Sequence, residues 1–190
     1  HAWKLTGPAR NWAGALEFAE VAFRRADEAG IRYIVLGSSG ARRAPAGYPP
    51  DKARGEFVEF ARRLADLLEK RNHRVIVVLE PLSPAECGFF NTVLQGVAMV
   101  DAVGSPRVRL LADMFHMFSS HEPGADIVAA GSRILHCHVA ERPRTAPGVT
   151  GTDLSEYFNA FKQIGYTGGF SLECSWPREG DLPARSALAN

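Results

Sequence analysis

The sequence predicts an α/β protein assembled from successive βαβ units, and three observations carry that prediction. Apolar residues recur at helical spacing in five stretches, and each helical stretch is followed by a short run of strand type. The runs repeat at roughly thirty residues, about one strand-plus-helix unit. They are also apolar over most of their length, as strands covered on both faces of a parallel sheet must be.

The elements follow in order. Trp3–Thr6 reads as the end of a strand. Asn11–Ala29 places Trp12, Ala15, Leu16, Ala19 and Phe23 on one helical face and stops at Gly30. Arg32–Leu36 is the next strand, and Gly40–Pro50, with Pro45, Pro49 and Pro50, reads as a loop. Phe57, Phe60, Ala61, Leu64, Leu67 and Leu68 mark a second helix ending near Asn72, before the strand Arg74–Leu79. Thr92–Val103 is a third helix, ended by Gly104 and followed by the strand Val108–Ala112. A short helix over 125–130 stops at Gly131 and leads into the strand Ile134–Val139. In the last helix, Leu154, Tyr157, Phe158, Phe161 and Ile164 line up, with Asp153 and Glu156 spaced as a cap. It closes at Gly165, ahead of the strand Gly169–Leu172. The helices thus stop at Gly or Asn, the residues that accept the left-handed conformation beyond a helix.

Two architectures fit: an open doubly wound sheet and a (β/α)8 barrel. No GxGxxG or GxxxxGK opens a helix, which weakens the first. The polar residues favour the second. Glu80, Asp113, His138 and Glu173 each sit at the end of a strand-like run, 33, 25 and 35 residues apart. In a barrel such residues converge over the axis on the C-terminal rim. One acid at a strand end is usually a loop cap, but four ligand types at four successive ends form a constellation. Three carboxylates and an imidazole suit Mn²⁺, Mg²⁺ or Co²⁺, with Zn²⁺ less favoured in the absence of thiolates. A cation also explains why costly acids recur beside apolar strands. His136, two residues before His138, reads as a hydrogen-bonded core residue. His73 and His121 read as unpartnered surface residues.

Composition removes other classes. Lys plus Arg number 22 against 21 Asp plus Glu, so the net charge of +1 gives no footprint for nucleic acid. No apolar run reaches the ~18 residues of a spanning helix. Cys87, Cys137 and Cys174 are widely spaced, form no zinc motif and read as packing residues, which points to a reducing, cytoplasmic setting.

The segments VLEPLSPAECGFFNT, LADMFHM, HCHVAERPRTAPG and GYTGGFSLEC, in this order and spacing, resemble the sugar isomerase/epimerase family with the xylose-isomerase-like TIM barrel. Its members include ketose 3-epimerases and hydroxypyruvate isomerases. The resemblance implies that Glu80, Asp113, His138 and Glu173 bind one divalent metal, commonly manganese. It also implies that Glu86, His116 and Arg144 contact a carbohydrate substrate, and that the chain forms homo-oligomers. Met114 and Phe118 stand where ketose epimerases carry Thr and Asn, which leaves the sugar open. A full barrel needs roughly 250 residues, so at 190 the expected (β/α)8 domain lacks its first two or three strands.

The expected chemistry is proton transfer next to a sugar carbonyl, through an enediolate, with Glu80 and Glu173 as the groups that remove and return the proton. A dehydratase of a cyclic polyol ketone and a non-catalytic sugar-binding remnant are the rival readings. The segment Ser38–Arg43 is a further candidate substrate contact or, equally, a solvated basic turn.

Overall fold

The strands follow one another along the chain as β1 (Tyr33–Leu36), β2 (Ile76–Leu79), β3 (Val108–Asp113), β4 (Ile134–Val139) and β5 (Phe170–Leu172), in a computed structural model that describes residues 3–176. They form a five-stranded parallel sheet in the order β1-β2-β3-β4-β5. This order decides between the two architectures. A doubly wound sheet reverses direction at a switch point; here every strand pairs with its successor, as in a barrel wall.

Helices α1 (Trp12–Glu28), α3 (Pro50–Lys70), α4 (Val93–Val103), α6 (Gly124–Ala130) and α7 (Ser155–Gln163) pack each against the next, forming an outer layer. Two short helices sit at strand ends: α2 (Ser39–Arg42) after β1 and α5 (Met114–Ser119) after β3. No helix among the described residues is long and apolar enough to cross a membrane. The expected helix stops all adopt positive φ, including the non-glycine Asn72 at 54°.

Three expectations need correction. Gly40–Pro50 is not all loop, because α2 occupies part of it and Pro50 opens α3, where its missing N–H costs nothing. Trp3–Thr6 adds no strand to the sheet. Leu5 N donates to Ala41 O and Thr6 Oγ1 to Arg42 O, so the segment is tied to α2 and keeps only an isolated Lys4–Arg10 bridge. Asp153 accepts from Ser155 N at 2.8 Å, but Glu156 turns to Gly124 N, so no reciprocal cap forms at α7. The capping box belongs to α4, between Thr92 and Gln95.

Strand alternation separates two faces. Val77, Leu79, Leu110, Ala112, Cys137 and Val139 join the core beneath the helices. Val78, Leu111 and His136 face the other way, into the concave side, and so do Glu80, Asp113 and His138 one step further along each strand. The sheet curls strongly about that side. Tyr33 on β1 and His136 on β4 lie three strand spacings apart, about 14 Å in a flat sheet, yet their ring centres are 5.0 Å apart. One irregularity sets the phase: Leu110 pairs with Ile134 but Leu111 with His136, so Leu135 is bulged out and Asp113 faces His138.

Candidate metal centre

Each of the four strand-end residues reaches the centre for a local reason. Asp113 ends β3 and caps α5: its Oδ1 accepts from Phe115 N at 2.7 Å and His116 N at 3.1 Å, which fixes the carboxylate and leaves Oδ2 inward. Glu80 follows β2, and its carboxylate lies over Gly37, where a Cβ would collide with it. His138 lies within β4 and Glu173 just beyond β5. His138 Nδ1 is 3.0 Å from Glu80 Oε1, 3.2 Å from Glu173 Oε2 and 3.7 Å from Asp113 Oδ2. One ligand atom from each residue can be chosen so that all four lie within 4.8 Å of one another.

Ligands on opposite sides of an ion with bonds of 2.0–2.1 Å stand about 4.2 Å apart, so small side-chain shifts would complete a shell. The donor set fits too. Glu80, Asp113 and His138 are buried, while the Glu173 side chain remains 46% exposed and gives the site an open flank. Three carboxylates against one imidazole leave an excess of negative charge that a divalent cation would neutralise. The residues present therefore fit a hard divalent ion.

Protonation reflects the same crowding. Burial alone would lower the pKa of His138, but hydrogen bonds to Asp113, Glu173 and Glu80 push it up to about 11. Burial opposes ionisation of Asp113, yet His138, His116 and the α5 amide hold its pKa at about 2. For Glu80, burial raises the pKa and the other two carboxylates add to it, against the pull of His138. In the free protein the His138 imidazole is thus a proton held where an ion would sit, and binding an ion displaces that proton.

The three expected substrate contacts lie beside this cluster to different degrees. Arg144, at a positive φ of 95° in the loop after β4, puts Nη1 3.2 Å from Glu173 Oε2 and Nη2 3.7 Å from Asp113 Oδ2. Its guanidinium covers the Phe115 ring at 4.6 Å. His116 is fully buried; its Nδ1 accepts from Ser83 N at 3.1 Å, so a neutral ring carries its proton on Nε2. That Nε2 is 3.1 Å from Arg144 Nη2. Two N–H groups then face one another, and an oxygen between them would satisfy both. Glu86 stands at the rim, 4.0 Å from His116 and 40% exposed.

Elsewhere the sequence reading is partly revised. Ser38–Arg43 is neither a solvated turn nor open to a ligand at Arg42, which is fully buried. His73 is not unpartnered, since Nδ1 meets Asp27 Oδ2 at 2.6 Å. His136 behaves as expected, buried and 2.9 Å from Ser171 Oγ. Cys137 packs under the helices and Cys87 in the same core, both as free thiols. Asn91 donates to Leu82 O and Cys87 O, anchoring the loop that bears Glu86. Spacing along the chain gives no signal for Glu141. Like Arg42, it is a charged side chain that becomes buried only in three dimensions.

A family model described as xylose isomerase-like TIM barrel matches residues 2–189. The chain belongs to the xylose isomerase-like TIM barrel family. Within that family it is 31% identical over 145 residues to the L-ribulose 3-epimerase of Methylomonas sp. (strain DH-1), covering 76% of this chain and 48% of that one. It is 32% identical over 124 residues to the D-psicose 3-epimerase of Enterocloster bolteae, covering 65% and 40%. The solved D-psicose 3-epimerase of Clostridium cellulolyticum with D-tagatose matches at a TM-score of 0.75 and 27% identity, over 88% of this chain and 58% of that one. The chain spans about half the length of the curated relatives it matches.

Proposed function

We propose that this chain carries the metal-binding and proton-transferring half of a ketose (or ketose phosphate) epimerase or isomerase. The observation that carries the reading is the placement of Glu80 and Glu173. They flank Asp113 and His138 in the row of strand ends, yet their carboxylates converge on the same point. The relatives, named as 3-epimerases of ribulose and psicose, support the same chemistry.

Glu80, Asp113, His138 and Glu173 would hold the ion, with Mn²⁺ the best match to a donor set dominated by carboxylate oxygen. When bound, the ion supplies charge stabilisation to the carbonyl and neighbouring hydroxyl oxygens of the sugar. The chain does the rest. Glu173, on the open flank, and Glu80, on the buried one, approach the sugar from opposite sides, so one takes the proton beside the carbonyl and the other returns it. Burial raises the pKa of Glu80, which makes it a better base than an exposed carboxylate. Arg144 orients the Glu173 carboxylate, and Arg144 with His116 donates to a substrate oxygen. Glu86 at the rim contacts an outer hydroxyl. Proton return to the opposite face of the same carbon gives an epimer; return to the neighbouring carbon exchanges aldose and ketose.

The test is NMR of ketoses and ketose phosphates incubated with the full-length protein and Mn²⁺ in deuterium oxide. Solvent deuterium at the carbon next to the carbonyl is the expected result, and the recovered sugar names the reaction. Sugars returned without deuterium, by protein shown to hold the ion, would overturn the proposal.

A further inference from the structure

Arg42 meets the centre at the main chain of Glu80 and not at its carboxylate. It is the largest of the fully buried side chains, a cation inside the core. Its guanidinium bonds go to main chain: Nη1 donates to Glu80 O at 2.7 Å and Nη2 to Leu36 O at 2.6 Å. Phe57 and Phe90 stack on it with ring centres 5.1 and 5.3 Å away, which locks its plane.

These carbonyls mark the place where β1 and β2 part. The last link between the strands is Glu80 N to Leu36 O, long at 3.4 Å, and beyond it the Glu80 carbonyl leaves the sheet. A planar fork holds both carbonyls in one fixed geometry, whereas the rotatable donors of a flexible ammonium fix no plane. On the other side the Glu80 side chain is bounded by Gly37 and by His138. The peptide that bears the carboxylate is therefore set by Arg42, and the carboxylate direction follows.

We infer that Arg42 is a positioning residue, a buried clamp that fixes the Glu80 peptide and thereby aims the Glu80 carboxylate at the ion and the substrate. The inference rests on the reading of the centre given above. Groups that hold a metal ligand in place carry effects of about 10–100-fold in affinity or activity, and a main-chain clamp on a ligand belongs to that range.

The experiment compares Arg42→Met and Arg42→Lys with the parent full-length protein, by Mn²⁺ titration followed by electron paramagnetic resonance and by kcat and KM for deuterium exchange. Tyr157→Phe, which removes a buried hydroxyl bond to Glu122 O far from the centre, controls for general destabilisation. Arg42→Met should weaken Mn²⁺ binding by about tenfold or more and lower kcat while KM moves less than about threefold. Arg42→Lys should fall between the two and, as the milder change, decides the matter by the same readings if Arg42→Met fails to fold. Folded Arg42 variants with parental Mn²⁺ affinity and kcat overturn the inference, and so does an equal loss in Tyr157→Phe. If the parent protein itself takes up no Mn²⁺, the reading of the centre fails first; if it binds and the Arg42 variants bind alike, only the clamp fails.

Discussion

Glu173 and Glu122 show how far a single carboxylate can be read from its surroundings. Glu173→Gln keeps an oxygen that can ligate but loses the site for a proton, so metal binding should persist in part while exchange falls by at least 10²-fold. Deuterium incorporation at a near-parental rate would remove Glu173 from the proton path. Glu122 lies away from the centre and is buried beside the start of α4, where its Oε2 accepts from Val93 N at 2.7 Å and its Oε1 has no hydrogen-bond partner. Burial is the main reason its pKa is raised to about 7, partly offset by that amide. A carboxyl whose folded pKa lies above the unfolded value of 4.5 weakens the fold as pH rises between the two. The cost is complete above about pH 7. Glu122→Gln should therefore stabilise the protein by about 3 kcal/mol at pH 8 and by little at pH 5, as urea unfolding at both values would show. The strand-end placement of the four candidate ligands was legible in the sequence because period-two alternation and strand ends are local facts. Arg42 and Glu122 were not, because what buries them lies tens of residues away.

Among the elements, the loop between β4 and α7 has the most to lose from one change. Glu141 is buried and gathers three donors, Gly148 N at 2.7 Å and Thr150 N and Oγ1 at 2.6 Å, while its main chain bridges to Thr145. Arg144 lies inside the fold so made, and its carbonyl accepts from Ser175 N at 2.7 Å beyond β5. Glu141→Ala removes the acceptor from Gly148 N and Thr150 N, which water can replace on these exposed residues, while Thr150 Oγ1 keeps Arg142 O at 3.0 Å. The change costs about 0.5–1.5 kcal/mol per lost bond and releases Arg144. The expected outcome is a KM raised several-fold with a smaller loss of Mn²⁺ affinity, because Arg144 steadies Glu173 alone at 3.2 Å while Glu80, Asp113 and His138 keep their own anchors. A loss of Mn²⁺ affinity equal to the rise in KM would contradict this role. The five strands and the five long helices could be read from periodicity and from their Gly or Asn stops. The short helices α2 and α5 could not. Each is too short for apolar periodicity to show: Asp113 holds α5 by a local cap, and the buried Arg42 anchors α2 to the Glu80 and Leu36 carbonyls.

For the molecule as a whole, strand order completes what the residue patterns began. Polar residues at four strand ends favoured a barrel wall over an open sheet, and the pairing of each strand with its successor shows that wall directly. Because the four candidate ligands come from four successive strands, an ion at the centre cross-links most of the sheet. An ion that binds only the folded chain at a hundred times its Kd adds about 2.7 kcal/mol, or roughly 5–10 °C in Tm for a protein of this size. Calorimetry with Mn²⁺ and with EDTA should differ by that amount at pH 7.5, and by less at pH 6, where the proton on His138 competes better. Identical melting curves under both conditions would mean that no ion links these strands.

The bulge at Leu135 makes the choice of element at this centre a matter of counting residues. With Leu135 in place, Asp113 faces His138. Were the ladder regular from Leu110 onward, with Leu135 paired and not bulged out, Cys137 would face Asp113. A nitrogen donor would give way to sulfur, and the preference would move from manganese towards zinc or cadmium. The bulge, and not residue types alone, thus selects the donor, and a related chain of the same length whose β4 ran without it would present a different inorganic chemistry.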